Sequence, residues 1–269
     1  MRREDDDPAH GTIIAALAAG EQDRPASGWR RFVPAAVRRR LRPLRAGYID
    51  WRRRRPLDLG DLRRLTPVDA NWGFERGTPI DRVYVERFIG GHAGDIHGRV
   101  LEIAAPDYTN RFGSGVTAVD VLMAEEGNPQ ATIVADLTDA PQIPDGTFDC
   151  AIVTQTLQFV YDVRSALATL HRVLAPGGVL LVTVPGLTKI SPPEDEAYGE
   201  WWHYTARSLR RLGAEAFGEE NVEVASFGNV LAATAFLYGL AASDLEPSEL
   251  DARDPLYEVV VGLRAVKRA

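Results

Sequence analysis

From Arg99 onward the chain repeats one pattern, in which a short apolar run is followed by polar punctuation and then by a helical spacing of apolar residues. This alternation limits the fold more than any other feature. The runs Arg99 to Ile103, Val116 to Val121, Ala131 to Ala135, Cys150 to Thr154 and Val179 to Val184 predict strands. The helix predicted over Val163 to Leu174 ends at Pro176-Gly177-Gly178, which stops it and turns the chain into the next strand. Strands alternating with helices form βαβ units, and a succession of them makes a parallel sheet in an α/β fold.

The flanking segments extend this plan. A helix is predicted from Ile80 to Ala93 after the Gly- and Pro-bearing stretch Gly73 to Pro79. Beyond the fifth strand come a helix over Ala206 to Phe217 with Thr205 as N-cap, a strand over Asn221 to Phe227, an apolar helix over Val230 to Ala241 and a closing strand over Tyr257 to Val266. Residues 1–65 read differently. An acidic arm with one apolar patch, Ile13 to Ala19, precedes the clusters Arg38 to Arg40 and Arg52 to Arg55, which are interleaved with Val37, Leu41, Leu44, Tyr48 and Trp51. That pattern suits a basic amphipathic helix, either docking on an anionic membrane surface or protein partner or packed on its own domain. The expected division is therefore 1–65, arm and basic helical extension, and 66–269, the α/β domain.

Charge follows the same division. Of the net −7, the first 65 residues contribute a surplus of seven positive charges, from sixteen arginines against nine acids, leaving −14 on the rest. An acidic body is a poor partner for nucleic acid, whose affinity comes from phosphate neutralisation. No apolar stretch approaches the roughly 20 residues of a membrane span, and the N-terminus does not resemble a signal peptide, so a cytoplasmic location is expected.

In an open parallel sheet, ligands bind at the carboxyl ends of the strands. The residues expected there are Glu102, Asp120, Asp136 and Thr154-Gln155. An acid after the second strand suits a ribose diol, whose two hydroxyls need an acceptor, although a strand-end acid also serves to cap the following helix. The Gly-x-Gly-x-x-Gly turn of dinucleotide dehydrogenases follows none of the strands. One cysteine and five scattered histidines show no metal-ligand spacing, so no metal is expected. Cys150, in an apolar run, reads as a buried structural thiol, and His171 as structural.

The ordered series Val100-Leu101-Glu102-Ile103, Val119-Asp120, Ala135-Asp136-Leu137, Phe148-Asp149-Cys150-Ala151-Ile152-Val153 and Leu170-His171-Arg172-Val173-Leu174-Ala175-Pro176-Gly177-Gly178-Val179-Leu180 resembles the motifs of class I S-adenosylmethionine-dependent methyltransferases. The stretches Arg76 to Arg82, Thr154 to Gln158 and Trp201-Trp202-His203-Tyr204-Thr205 are similar to a bacterial subgroup associated with glycosyltransferases and with surface-polysaccharide or secondary-metabolite assembly. The resemblance implies a doubly wound, mostly parallel seven-stranded Rossmann-like sheet of order 3-2-1-4-5-7-6, with S-adenosylmethionine as cofactor and a small-molecule or glycan acceptor. It further implies that Glu102 orients the methionine portion, Asp120 holds the ribose hydroxyls, Asp136 and Leu137 flank the adenine, Thr154 lies near the amino acid end, and Ala104 stands in the turn facing the cofactor.

One departure bears on the cofactor. The first turn of the family is rich in glycine, so that the backbone turns tightly and approaches the ligand without Cβ atoms between them. Here it reads Ala104-Ala105-Pro106-Asp107-Tyr108-Thr109-Asn110, without glycine before Gly113. The eleven residues Ala104 to Ser114 leave room only for a short helix. The connection Gly186 to Tyr204, with its group Trp201-Trp202-His203-Tyr204, has the length of a lid. His203 is the candidate general base there, and packing is its other reading. Two functions follow: O-methylation of a sugar, glycan or secondary metabolite, favoured by the strand-end acids, or a non-catalytic methyltransferase-like scaffold, favoured by the glycine-poor turn.

Overall fold

The computed structural model describes residues 60–268. The acidic arm and both arginine clusters fall outside the described residues. Gly60–Arg63 forms one turn of 3-10 helix. The strands of the domain are β1 (Gly98–Ile103), β2 (Val116–Met123), β3 (Ile133–Val134), β4 (Phe148–Thr154), β5 (Leu174–Pro185), β6 (Val222–Phe227) and β7 (Val260–Val266). They form one sheet of order β3-β2-β1-β4-β5-β7-β6. Strands β1 to β5 are parallel, and β7 runs antiparallel to both β5 and β6. The order expected from the resemblance is the one found.

Both faces of the sheet are covered, so the central strands are apolar on both sides. Leu101, Ala151, Leu180 and Leu263 face one core, closed by helices α3 (Val163–Val173) and α5 (Ala206–Phe217). Val100, Ile152, Leu181 and Val260 face the other, against α1 (Ile80–Gly91), α2 (Asp107–Phe112) and α6 (Val230–Leu237). Two short helices complete the domain, α4 (Pro192–Tyr198) and α7 (Pro247–Asp251). Leu101, Leu180 and Ile152 are at most 1% exposed, so truncating any of them to alanine would cost about 2 to 5 kcal/mol. Cys150 is fully buried, and desolvation pushes its thiol up to about 12.

Element boundaries depart from the sequence pattern at three informative places. Strand β2 continues to Met123, two residues past Val121, because Ile103 of β1 pairs with Leu122 and β3 pairs with Leu122 and Met123. Strand β5 already begins at Leu174, opposite Phe148, and Ala175 to Gly178 form a bulge rather than a turn ahead of the strand. A Cβ on Gly178 would stand 3.0 Å from the carbonyl oxygen of Phe148, so the bulge closes only around glycine. Helix α6 ends at Leu237 rather than Ala241, since Gly239 takes φ +71° against the backbone of Asp69.

Candidate active site

The carboxyl ends of β1 and β4 are marked by backbone conformation. Three non-glycine residues among those described have positive φ, and two follow these strands directly: Ala104 at +70° after β1 and Gln155 at +47° after β4. Left-handed backbone in residues bearing a Cβ is uncommon and gathers at functional sites. Ala104 therefore adopts the turn conformation that glycine usually supplies, and it is exposed at the rim. Its carbonyl accepts a 2.6 Å bond from Asn128 Nδ2 in the loop after β2, which ties the two loops together.

Glu102, 1% exposed, is the penultimate residue of β1, two residues before Ala104. Its Oε1 accepts the backbone N–H of Tyr108 at 2.9 Å, while Oε2 accepts the N–H of Thr109 at 2.9 Å and its hydroxyl at 2.6 Å. Both oxygens are thus engaged with the first turn of α2. Burial pushes this carboxyl up, opposed by the Thr109 and Tyr108 donors. Helix α1 reaches the same rim. It enters β1 from the opposite edge of the sheet, so its N-terminal turn lies at the carboxyl end, where Arg82 Nη1 donates to the hydroxyl of Tyr108 at 2.6 Å.

Polar atoms without partners collect in these elements. Asp81 Oδ1, Gln155 Nε2, Gln158 Oε1 and Thr183 Oγ1 are screened from solvent, and none has a hydrogen-bond partner among the described residues. Thr183 belongs to β5 opposite Thr154, and its carbonyl accepts the N–H of Gln155 at 2.7 Å. Buried polar groups in native proteins are normally paired, so a set of unpaired ones marks a place that a polar ligand completes. An amino acid end with an ammonium and a carboxylate fits such a donor and acceptor set. Gln155 is among the strand-end residues expected from sequence, whereas Asp81, Gln158 and Thr183 are not. Thr183 was open to discovery there, as the one hydroxyl in Val179-Leu180-Leu181-Val182-Thr183-Val184.

The other expected site residues are distributed less tightly. Thr154 is half-buried at the end of β4, and its carbonyl accepts the Thr156 hydroxyl. Asp136, exposed beyond β3, accepts the N–H of Thr138 in a tight turn, and Leu137 is 6% exposed within the core under the sheet. Asp120 stands elsewhere than expected. It pairs with Leu101 in mid-strand, three residues and roughly 10 Å short of the end of β2 at about 3.3 Å per residue. Its carboxylate is held by Arg99 Nε at 2.8 Å and by the Thr132 hydroxyl at 3.0 Å. The apolar pattern had ended β2 too early and so put this acid at the rim.

The connection Gly186 to Tyr204 is anchored through its own aromatics. The N–H of Trp201 bonds the carbonyl of Gln158 at 2.8 Å, and Trp202 Nε1 reaches the carbonyl of Val160 at 3.2 Å. Tyr161 packs edge-on to Trp201 and stacks on Trp202, with centroids 5.1 and 5.9 Å apart. The buried hydroxyl of Tyr204 donates to the carbonyl of Leu157 at 2.9 Å. His203 Nε2 lies 3.1 Å from Oε1 of Glu200. Beside it opens a cleft of about 700 Å³, lined by Leu187, His203, Thr205, Arg207, Leu256 and Glu258.

Residues 96–182, the span from β1 through most of β5, match the family described as Methyltransferase domain. Among curated relatives, the ubiquinone/menaquinone biosynthesis C-methyltransferase UbiE of Methylobacterium nodulans is 28% identical over 173 residues, covering 53% of this chain and 65% of the relative. The enzyme of the same name from Marinomonas sp. is 40% identical over 76 residues, 28% of each chain. The chain thus covers less than two thirds of the length of these relatives. Among solved structures, a SAM-dependent methyltransferase from Archaeoglobus fulgidus superposes with a TM-score of 0.48 at 11% identity, over 74% of this chain and all of the other.

Proposed function

We propose that the chain transfers the methyl group of S-adenosylmethionine to a hydroxyl of a small acceptor, a sugar, glycan or secondary metabolite, held in the cleft beside the lid. The observation that carries this reading is the meeting, at one rim, of left-handed Ala104 and Gln155 with the unpaired Gln155 Nε2, Gln158 Oε1 and Thr183 Oγ1. When bound there, the cofactor supplies a methyl already activated on a sulfonium. The work left to the protein is positioning, exclusion of water and removal of one proton. Tyr161, Trp201 and Trp202 form an aromatic wall suited to the face of a sugar or ring. His203 opens to the cleft and takes the hydroxyl proton as the acceptor oxygen bonds to the methyl carbon and the carbon–sulfur bond breaks.

A second reading, methylation of an aromatic carbon, is favoured by the printed names of the two curated relatives, both C-methyltransferases. It uses the same base, and the two differ only in the atom that attacks. The scaffold reading draws on the Cβ of Ala104, which projects where glycine usually leaves room. A methyl-labelled cofactor offered with hydroxylated glycosides and with hydroxylated aromatic rings separates all three. Label on oxygen supports the first reading, label on ring carbon the second. Absence of any binding of S-adenosylhomocysteine, the demethylated product, by the folded chain at millimolar concentration leaves the scaffold.

A further inference from the structure

We infer that Asp81, in the first turn of α1, is the carboxylate that receives the α-ammonium of S-adenosylmethionine, a task that Glu102 leaves open because its oxygens hold the turn of α2. The inference rests on the proposed cofactor and assigns it a residue that the strand-end pattern does not indicate.

Three observations converge on Asp81. The first is its unpaired atom: Oδ1 is screened from solvent and has no hydrogen-bond partner among the described residues. A carboxylate oxygen removed from water costs free energy until a donor reaches it. In agreement, desolvation pushes this carboxyl up, opposed by the charge of Arg82 and by the backbone N–H groups of Arg82 and Asp81, which leave Oδ1 itself unpaired.

The second observation is position. Helix α1 begins at the carboxyl edge of the sheet and is fastened to the turn after β1 by the bond from Arg82 Nη1 to Tyr108. Tyr108 is itself the residue whose N–H binds Glu102. Asp81 therefore belongs to the same small assembly as the turn at Ala104. The third is the neighbouring charge. Asp81 and Arg82 place an anion and a cation side by side, and the only bond from the Arg82 guanidinium among the described residues goes to a neutral phenol. A ligand that carries an ammonium and a carboxylate on one carbon complements that pair, whereas a simple cation or anion would meet repulsion from one member of it.

The test uses two nucleosides that differ at this end. S-adenosylhomocysteine carries the amino acid, and 5′-methylthioadenosine keeps adenine, ribose and sulfur but lacks it. Titration calorimetry on the full chain should show Asp81→Asn weakening S-adenosylhomocysteine by about tenfold or more while 5′-methylthioadenosine stays within about twofold of wild type, as expected for a lost charge-assisted bond. Unchanged affinity for S-adenosylhomocysteine, or an equal loss for both nucleosides in a variant that melts cooperatively, overturns the inference. If Asp81→Asn fails to fold, Asp81→Glu, which keeps the charge and moves it by one methylene, must also discriminate between the two ligands, and equal affinities relative to wild type would count against the role. Failure of the cofactor reading looks different: wild type then binds neither nucleoside, and both proposals fall.

Discussion

Glu200 holds His203 by a single contact, Oε1 to Nε2 at 3.1 Å, and the carboxylate is 3% exposed while the imidazole is 35% exposed. Because a carboxylate only accepts, Nε2 carries a proton in this contact, and in the neutral tautomer Nδ1 is the ring nitrogen that accepts. A buried acid behind a partly exposed histidine is the arrangement in which a base is oriented by a third group. The second oxygen of Glu200 accepts the N–H of Ser191 at 2.8 Å, so the acid is itself fixed at the start of helix α4.

His203→Ala should lower turnover by about 10²- to 10⁴-fold, the usual range for loss of a general base, with S-adenosylhomocysteine affinity unchanged. Glu200→Gln should lower it less, since the imidazole remains but its tautomer is no longer dictated. Steady-state kinetics beside calorimetry decide. Equal turnover in wild type and His203→Ala returns the histidine to a packing role.

Glu102 makes stability depend on pH with a definite sign. Its folded-state carboxyl is raised above the ordinary 4.5, so the folded chain holds that proton more tightly than the unfolded chain. Stability from this group is present below 4.5 and is lost as pH rises through the elevated folded value. Glu102→Gln has no proton to lose there. Urea titrations in steps upward from pH 4 should show the wild type losing ground relative to Glu102→Gln over that window. A difference that moves the other way would show that the donors from Thr109 and Tyr108 outweigh burial.

The resemblance assigns the ribose diol to Asp120, and the structure offers two further acids near the end of β2 for the same task. Asp120 is tied to Arg99 below the rim, whereas Glu125 and Glu126 follow the end of β2 and are exposed, with no ion pair among the described residues. Glu125→Ala or Glu126→Ala should weaken S-adenosylhomocysteine by about ten- to a hundredfold, the worth of a charge-assisted hydrogen bond or two. Asp120→Ala should change affinity by less than about threefold and lower stability by about 1 kcal/mol or less, since its partner Arg99 is half exposed. A larger binding loss in Asp120→Ala than in either glutamate variant reverses the assignment.

Gly262 of β7 lies under α1, and a Cβ there would run into the ring of Phe88, a side chain that is 3% exposed and has no room to retreat. Gly262→Ala should destabilise by about 1 to 3 kcal/mol through overpacking, read as a lower urea midpoint at constant slope.

Much of this fold was legible because its strands are buried on both sides. Runs such as Cys150 to Thr154 are continuous and bounded, and helix α5 came out over Ala206–Phe217 as expected because Thr205 and Ser208 cap each other reciprocally. Less was legible at the site. The register that carries β2 past Asp120 is set by pairing with Ile103 and with β3, which no local pattern encodes. The commitment of Glu102 to Thr109 depends on the turn between them closing, and Asp81 sits in a helix whose neighbours say nothing of an unpaired oxygen. Strand ends announce where a ligand binds, but which acid is free to bind it is decided by what the others already hold.

Cys150 is the only cysteine in the sequence and is buried in the core shared with Val100 and Ile152, where desolvation pushes its thiol up to about 12. Only the thiolate attacks a disulfide reagent and displaces its second sulfur, so the folded chain is silent toward it at neutral pH. Each labelling event therefore reports an opening that reaches the middle of β4. The chain carries its own clock for native-state excursions, and the slowing of that clock by S-adenosylhomocysteine measures ligand binding without any acceptor.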